Sequence, residues 1–423
     1  MRVLVTVIAV KTHLYNVVPM AWALQAAGHD VRVASQPDLV EAITNAGLTA
    51  VAVGDPLSMG RSAHGPRGQT FRAHGGGMLV AAGEEPTWEH ALGALTVACA
   101  VEYEFFAGQT VLDDLVEFAR GWQPDLVIWD ALTFTGAIAA RACGAAHARM
   151  LFGIDYITQM YGHFVTLRDE QPADRRDDPV ADWLTGRLGR YGCEFGPSDA
   201  LELMTGQVTI DPTPAWMQLP LGLPVLPVRF VPFNGAANVP QWIYDPPRRP
   251  RVCLSLGMSG RDLFGGDLVS VADLLTALAE LDIELVATLN ADQLAAVTTL
   301  PDNVRAVDFV PLNELAPTCT AIIHHGGFGT LGNVLVHGIP SLTVPAPWWD
   351  EKDLGTHLHN RHAGIHLDPH TLTPDTVKTA LHQLLTDPTY RHHATDVQHD
   401  ILTTPTPNDV TTQLEQLAAG PRA

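Results

Sequence analysis

Several residue types and patterns that mark whole classes of protein are scarce or missing in this chain. Its 423 residues include only five cysteines, Cys99, Cys143, Cys193, Cys253 and Cys319, scattered and with no C-x-x-C pair. That excludes a disulfide framework and a zinc knuckle, and predicts a reduced, cytoplasmic protein. Basic residues are few: 25 Lys plus Arg stand against 46 Asp plus Glu, for a formal net charge of -21, and no Lys/Arg run occurs. A binder of phosphate backbones needs a cationic face, so no nucleic-acid partner is expected. Docking on anionic lipid is disfavoured for the same reason, and the acidity reads as a solubility feature. No apolar run approaches the ~20 residues of a membrane span, so no membrane partner is expected. The apolar opening MRVLVTVIAV is about one strand long and has no small-residue cleavage site, so it is not expected to be a signal peptide.

Common catalytic signatures are absent too. There is no D-x-D to hold a metal-bound diphosphate, no H-E-x-x-H, no G-x-S-x-G and no G-x-x-x-x-G-K-S/T. The stretch His357, His359, His362, His366 and His370 is irregularly spaced and has no cysteine, so it reads as solvated histidines rather than a metal site. No metal is expected.

What remains is a globular composition, 46% apolar and 17% charged, and enough chain for two domains or three. A β-rich run Val3–Ile8, an apolar-periodic helix Val17–Ala27 stopped by Gly28, and a run Val31–Ala34 make a βαβ unit with parallel strands. Asn16 is expected to cap this helix, with Pro19 in its first turn. A helix-like stretch Leu39–Ala46 and a run Leu48–Val53 follow, and later a strand Leu126–Trp129 with an Ala-rich helix behind it. Residues 54–86, rich in Gly, His and Arg, read as a mobile surface loop, and 168–182 as a polar excursion. Five prolines between Val231 and Pro250 mark a linker. Strand–helix alternation then restarts, with strands at Arg251–Leu256, Ile283–Leu289, Val304–Val310, Ala321–His324 and Ser341–Val344, and helices near Leu268–Ala279 and from about Thr330. The fold expected is α/β, two Rossmann-like domains facing across a cleft. The N-terminal domain is expected at 1–230, the linker at 231–250, the C-terminal domain at 251–404, and at 405–423 a helix crossing back to the first domain.

The strongest local motif is Ile322-Ile323-His324-His325-Gly326-Gly327-Phe328-Gly329-Thr330. A buried strand there runs through a glycine-rich turn into a helix, and a helix N-terminus reached through glycines, with a histidine donor beside it, suits a diphosphate. A tight turn with a space-filling histidine is the plain structural alternative. Gly327 to Gly332 also spells G-x-G-x-x-G, but the next strand ends in Pro345-Ala346-Pro347 rather than an acid, so an NAD-dependent oxidoreductase is the secondary reading. In the first half, His13 follows the first strand and Asp130 ends the strand Asp125–Asp130. Both lie at the carboxyl edge of one sheet, where a carboxylate behind an imidazole would support a general base. A third alternative is a non-catalytic protein that only binds its ligands.

Together these residues resemble the GT-B-fold glycosyltransferases of actinomycete antibiotic pathways, most of all the desosaminyltransferase-type members. The resemblance is carried by His13-Leu14, Val18 to Ala23, Ala26 to His29, Thr87-Trp88-Glu89-His90, Pro124 to Trp129, Val252 to Ser259, Pro301 to Arg305 with Phe309-Val310-Pro311, and His324 to Gly327. It implies an inverting, metal-independent transfer of a deoxysugar from a TDP-sugar to a macrolide- or anthracyclinone-like aglycone, with no cofactor. His13 would take the acceptor proton, supported by Asp130. Thymine would lie near Phe309 and Val310. The phosphates would meet His325, Gly327, Gly329, Thr330 and the loop at Met258-Ser259. The family's Asp-Gln pair on the donor sugar falls on Asp350-Glu351, where Glu replaces Gln and Trp348-Trp349 adds a residue ahead of it. Close relatives work with an auxiliary activator resembling a cytochrome P450 without haem, which makes such a partner, and a homodimer, candidates here.

Overall fold

The computed structural model describes residues 1–58, 77–80, 84–196, 198–257, 270–295, 297, 299–344, 349–368 and 371–420. Met258, Ser259, Trp348 and His370, and most of the loop expected at 54–86, fall outside these residues. Two compact units make up the chain: Met1–Val228 together with Pro405–Ala423, and Arg229–Thr404.

The first unit is built on a wholly parallel seven-stranded sheet, β1 (Arg2–Thr6), β2 (Asp30–Ser35), β3 (Thr49–Ala52), β4 (Leu126–Asp130), β5 (Ala146–Met150), β6 (Val208–Asp211) and β7 (Val225–Pro227), in the order β3-β2-β1-β4-β5-β6-β7. Every residue of β4 and β5 is buried, as strands covered by helices on both faces must be. Strand order reverses between β1 and β4, which pair Val3 with Leu126 through Thr6 with Trp129. That switch point opens a crevice at the carboxyl ends of the two strands. The first helix spans Lys11–Ala26, earlier than its apolar periodicity suggests. Its first turn is polar, so periodicity alone misses it. As a correction, Val10 rather than Asn16 occupies the N-cap position, and Pro19 lies inside the helix rather than in its first turn. The polar stretch 168–182 is largely structured as well. The helix Tyr156–Glu170 runs into it, and Asp178 caps the next helix, Pro179–Gly189, by accepting from the Ala181 N–H.

The second unit carries a parallel six-stranded sheet, β8 (Arg251–Ser255), β9 (Glu284–Thr288), β10 (Val304–Val307), β11 (Ala321–His324), β12 (Ser341–Thr343) and β13 (Gly364–His366), in the order β10-β9-β8-β11-β12-β13. Its switch point lies between β8 and β11, where Ser255 pairs with His324. β10 ends at Val307, so Phe309 and Val310 sit in the turn before the short helix Leu312–Leu315, not in a strand. The Pro-rich segment belongs to this unit rather than hanging free. Ile243 is buried in its core, the Ile243 carbonyl accepts from Arg251, and the Arg251 and Arg305 guanidinium groups lie over the Trp242 ring. The last helix, Thr411–Ala419, belongs to the first unit. Val410 and Leu414 are buried there, and Glu415 pairs with His29 at 2.9 Å.

Candidate functional site

In the first unit the switch point brings two residues 117 positions apart into contact. His13, in the first turn of the helix Lys11–Ala26, places Nδ1 2.8 Å from Asp130 Oδ2. The Asp130 side chain is fully buried and that of His13 is 14% exposed. The backbone N–H of Leu132 donates to Asp130 Oδ1 at 3.1 Å, so both carboxylate oxygens are engaged. A carboxylate so held keeps the imidazole proton on Nδ1, leaving Nε2 as the free base nitrogen. The Phe152 ring flanks the imidazole at 4.5 Å between centroids, tilted by 56°. Asn16, one helical turn beyond His13, donates from Nδ2 to the Leu151 carbonyl at 2.8 Å, tying the helix to the end of β5. This tie replaces the capping role expected of Asn16. Phe152 and the Leu132 N–H were not signalled by the sequence, because neither belongs to a motif; Phe152 acts through a distant residue, and the Leu132 N–H through a local turn.

In the second unit, β11 enters the glycine turn and the helix Phe328–His337. The helix starts at Phe328, two residues before the expected Thr330. Gly326 has φ +100°, a backbone region that favours glycine, and a Cβ there would lie 2.9 Å from the Glu351 main chain. Its N–H donates to His324 Nδ1 at 3.1 Å. Burial pushes the His324 ring down to about 3, so it is neutral, and its Nε2 has no partner among the described residues. The next residue, His325, lies between two glycines. A Cβ on Gly257 or on Gly327 would come within 2.4 Å of its ring. Gly257 (φ +81°) thus joins the site from just past β8, a residue the sequence carried only within the stretch Val252 to Ser259. The N–H groups of Phe328 and Gly329 open the helix without an upstream helical carbonyl, and Thr330 lies in the same turn. Backbone donors, a positive helix end and an imidazole, with glycines keeping the approach clear, are the chemistry an anion site needs. Gly332, the third glycine of the G-x-G-x-x-G pattern, instead makes room for the Phe230 ring, whose atoms would lie 2.5 Å from a Cβ there. Asp350 is buried at the N-cap of the helix Glu351–Asn360, beside the glycine turn. Glu351 accepts from the Trp349 N–H at 2.7 Å. Phe309 is 46% exposed and Val310 is buried. Among the described residues no group of three or more His, Cys, Asp or Glu is placed to hold a metal, and no single helix is long and apolar enough to cross a membrane.

Residues 22–257 match the erythromycin biosynthesis protein CIII-like N-terminal domain, and residues 272–417 match the corresponding C-terminal domain. The chain is 45% identical to aclacinomycin-T 2-deoxy-L-fucose transferase of Streptomyces galilaeus, covering 99% of this chain and 96% of that protein. It is 46% identical to 10-deoxymethynolide desosaminyltransferase of Streptomyces venezuelae, covering 99% and 97%. Among solved structures it superposes on glycosyltransferase VinC in complex with dTDP at a TM-score of 0.87, with 42% identity over 99% of this chain and 100% of the other. It superposes on the spinosyn forosaminyltransferase SpnP at 0.84, with 39% identity and the same coverage. These relatives are sugar transferases, and the oxidoreductase alternative finds no support in them.

Proposed function

From the premise that the chain belongs to the erythromycin biosynthesis protein CIII-like family of GT-B glycosyltransferases, we propose that it moves a deoxysugar from a thymidine-diphosphate donor to a hydroxyl of a polyketide-type aglycone, with His13 as the general base. The observation that carries the base assignment is the 2.8 Å His13–Asp130 pair at the β1/β4 switch point. The sugar class and aglycone class are taken from the relatives above.

His13 Nε2 takes the proton of the acceptor hydroxyl while its Nδ1–H keeps donating to Asp130, whose charge stabilises the imidazolium that forms. The acceptor oxygen bonds to the anomeric carbon from the face opposite the leaving group. The bond from that carbon to the phosphate oxygen breaks, its electron pair leaves with the diphosphate, and the anomeric centre inverts. The diphosphate charge is met by the amides of Phe328 and Gly329, the helix dipole, Thr330 and His325, fixed donors of the kind that stabilise developing charge. Met258 and Ser259, Gly327 and Gly329 complete the phosphate side of this reading, Phe309 and Val310 the base side, and Asp350 and Glu351 the sugar side. A P450-like auxiliary protein without haem and a homodimer are the partners this reading carries; light scattering tests the second.

The test is a mass-spectrometric screen of TDP-deoxysugars against macrolactone and anthracyclinone aglycones with the full-length chain. A product heavier than an aglycone by one deoxysugar residue, with release of TDP, is expected. Donor consumption that yields only free sugar, or no TDP release across the panel, counts against the reading.

A further inference from the structure

We propose that Gln36 is a positioning residue for the catalytic base, acting through the backbone of Ala9 and Phe106; the proposal rests on the reading of His13 as that base. Gln36 directly follows β2 and stands at the N-cap of the short turn Pro37–Leu39, yet its side chain makes no capping bond there. It is buried, and both ends of its amide reach across the unit. Oε1 accepts from the Ala9 N–H at 2.9 Å, and Nε2 donates to the Phe106 carbonyl at 2.6 Å. Ala9 lies in the segment that joins β1 to the helix bearing His13. The Phe106 carbonyl belongs to the last turn of the helix Tyr103–Ala107, where carbonyls have no helical partner.

The two segments that Gln36 joins also meet through side chains. Ile8, Phe105 and Phe106 form a buried apolar cluster, and Val10 and Leu132 pack against it. Val10 is the N-cap of the His13 helix, and Leu132 supplies the N–H that holds Asp130. Both partners of the dyad therefore lean on one cluster, and Gln36 clamps the two chain segments that bring its rings together. Without that clamp a half-buried donor and a buried acceptor lose their partners, and the Phe106 carbonyl can recover a hydrogen bond only if its segment moves. Movement there shifts the first turn of the His13 helix, and a displacement of about 1 Å at a catalytic group can lower a rate about 100-fold.

The test uses two variants of the full chain. Gln36→Leu keeps the volume and removes both hydrogen bonds. Gln36→Glu keeps them only while the introduced carboxyl is protonated, because an ionised carboxylate cannot donate to the Phe106 carbonyl; burial raises the pH at which it ionises. With histidine labelled by nitrogen-15, the low-field proton of His13 Nδ1–H, identified by its loss in His13→Ala, reports the dyad directly. That signal is expected to vanish in Gln36→Leu. In Gln36→Glu it should be present at roughly pH 6 and lost at about pH 9, while the wild-type signal persists across that range. Turnover should follow, falling about 10- to 100-fold in Gln36→Leu with TDP affinity unchanged. An unaltered His13 signal and wild-type turnover in Gln36→Leu, even with a lower melting temperature, would assign Gln36 to the fold alone and overturn the proposal. So would a Gln36→Glu signal that tracks the wild type at every pH. If the wild type transfers no sugar, the proton signal still decides the question of Gln36, and the failure counts against the transferase reading.

Discussion

The unequal exposure of His13 and Asp130 divides their labour. Asp130 has no solvent contact and spends both oxygens on protein donors, whereas His13 keeps 14% of its side chain open. On the proposed reading, His13 meets the acceptor and Asp130 acts through it. His13→Ala is therefore expected to lower turnover by roughly 10²–10⁴-fold. TDP affinity should stay the same, as calorimetry would show, because the proposed phosphate site is built from the other unit. Asp130→Asn should cost less, since the imidazole remains and the amide oxygen can still accept from it. Near-wild-type rates in folded His13→Ala would move the base elsewhere. A second residue-scale expectation concerns Asp211 at the end of β6. Burial pushes its carboxyl up to about 7 although the Thr213 N–H donates to it. A carboxyl whose folded value lies above its unfolded one stabilises the fold below the unfolded value, and that contribution is lost as pH rises toward about 7. Asp211→Asn should thus raise the unfolding free energy at pH 8 by about 1–4 kcal/mol, and the gain should vanish near pH 4, as paired urea titrations would show. The roles of such residues resist reading from sequence. His13 and Asp130 could be picked out because one follows the first strand and the other ends a strand, but their contact spans 117 positions, and Phe152 carries no local signal at all.

At the scale of elements, what could be read was what local physics writes down. The β11–turn–helix unit was legible because a buried four-residue strand, a run of glycines and an apolar-periodic helix leave little choice of conformation. The helix Lys11–Ala26 was half legible. Its polar opening Lys11-Thr12-His13 has no periodic signature, and Asn16, a capping residue by type, reaches instead for the Leu151 carbonyl just past β5. The strand at Val304 was read three residues too long because Asp308-Phe309-Val310 is as apolar at its end as the strand before it, and only the turn into Leu312–Leu315 shows otherwise. The glycine turn yields its own expectation. A methyl on Gly327 would stand 2.4 Å from His325 Nε2, so Gly327→Ala must displace the imidazole. TDP affinity should fall by about tenfold, or ~1.4 kcal/mol, with little change in melting temperature for the free protein. Equal TDP affinity in the two proteins would remove His325 from the phosphate site.

At the scale of the whole molecule, repeated strand–helix alternation was enough to read two parallel α/β sheets, because parallel strands require crossovers and crossovers in turn bury the sheet. The order within each sheet was not legible, since pairing of β1 with β4 joins segments about 120 residues apart. A ligand of the native state must raise the melting temperature. At 100 times its dissociation constant TDP should add about 2.7 kcal/mol. NAD should add nothing, and a scan showing the reverse would restore the oxidoreductase reading. The last helix permits a further check: Val410 and Leu414 are buried in the first unit and Glu415 pairs with His29. Truncation after Thr404 should therefore lower the stability of the first unit by a few kcal/mol, the usual worth of two buried aliphatic side chains. Denaturation followed by the first unit's own tryptophans, Trp88, Trp122 and Trp129 among them, would measure it.

Because that helix completes a unit begun at Met1, the second unit is an insertion within the first. During synthesis, domains made first usually fold first. Here the element that completes the first unit is made last: residues 229–404 are all available for packing before residues 411–419 exist. The surface destined for Val410 and Leu414 stays uncovered while the second sheet is made downstream of it. That delay is a window for chaperone binding, and it closes only once the last helix has been made.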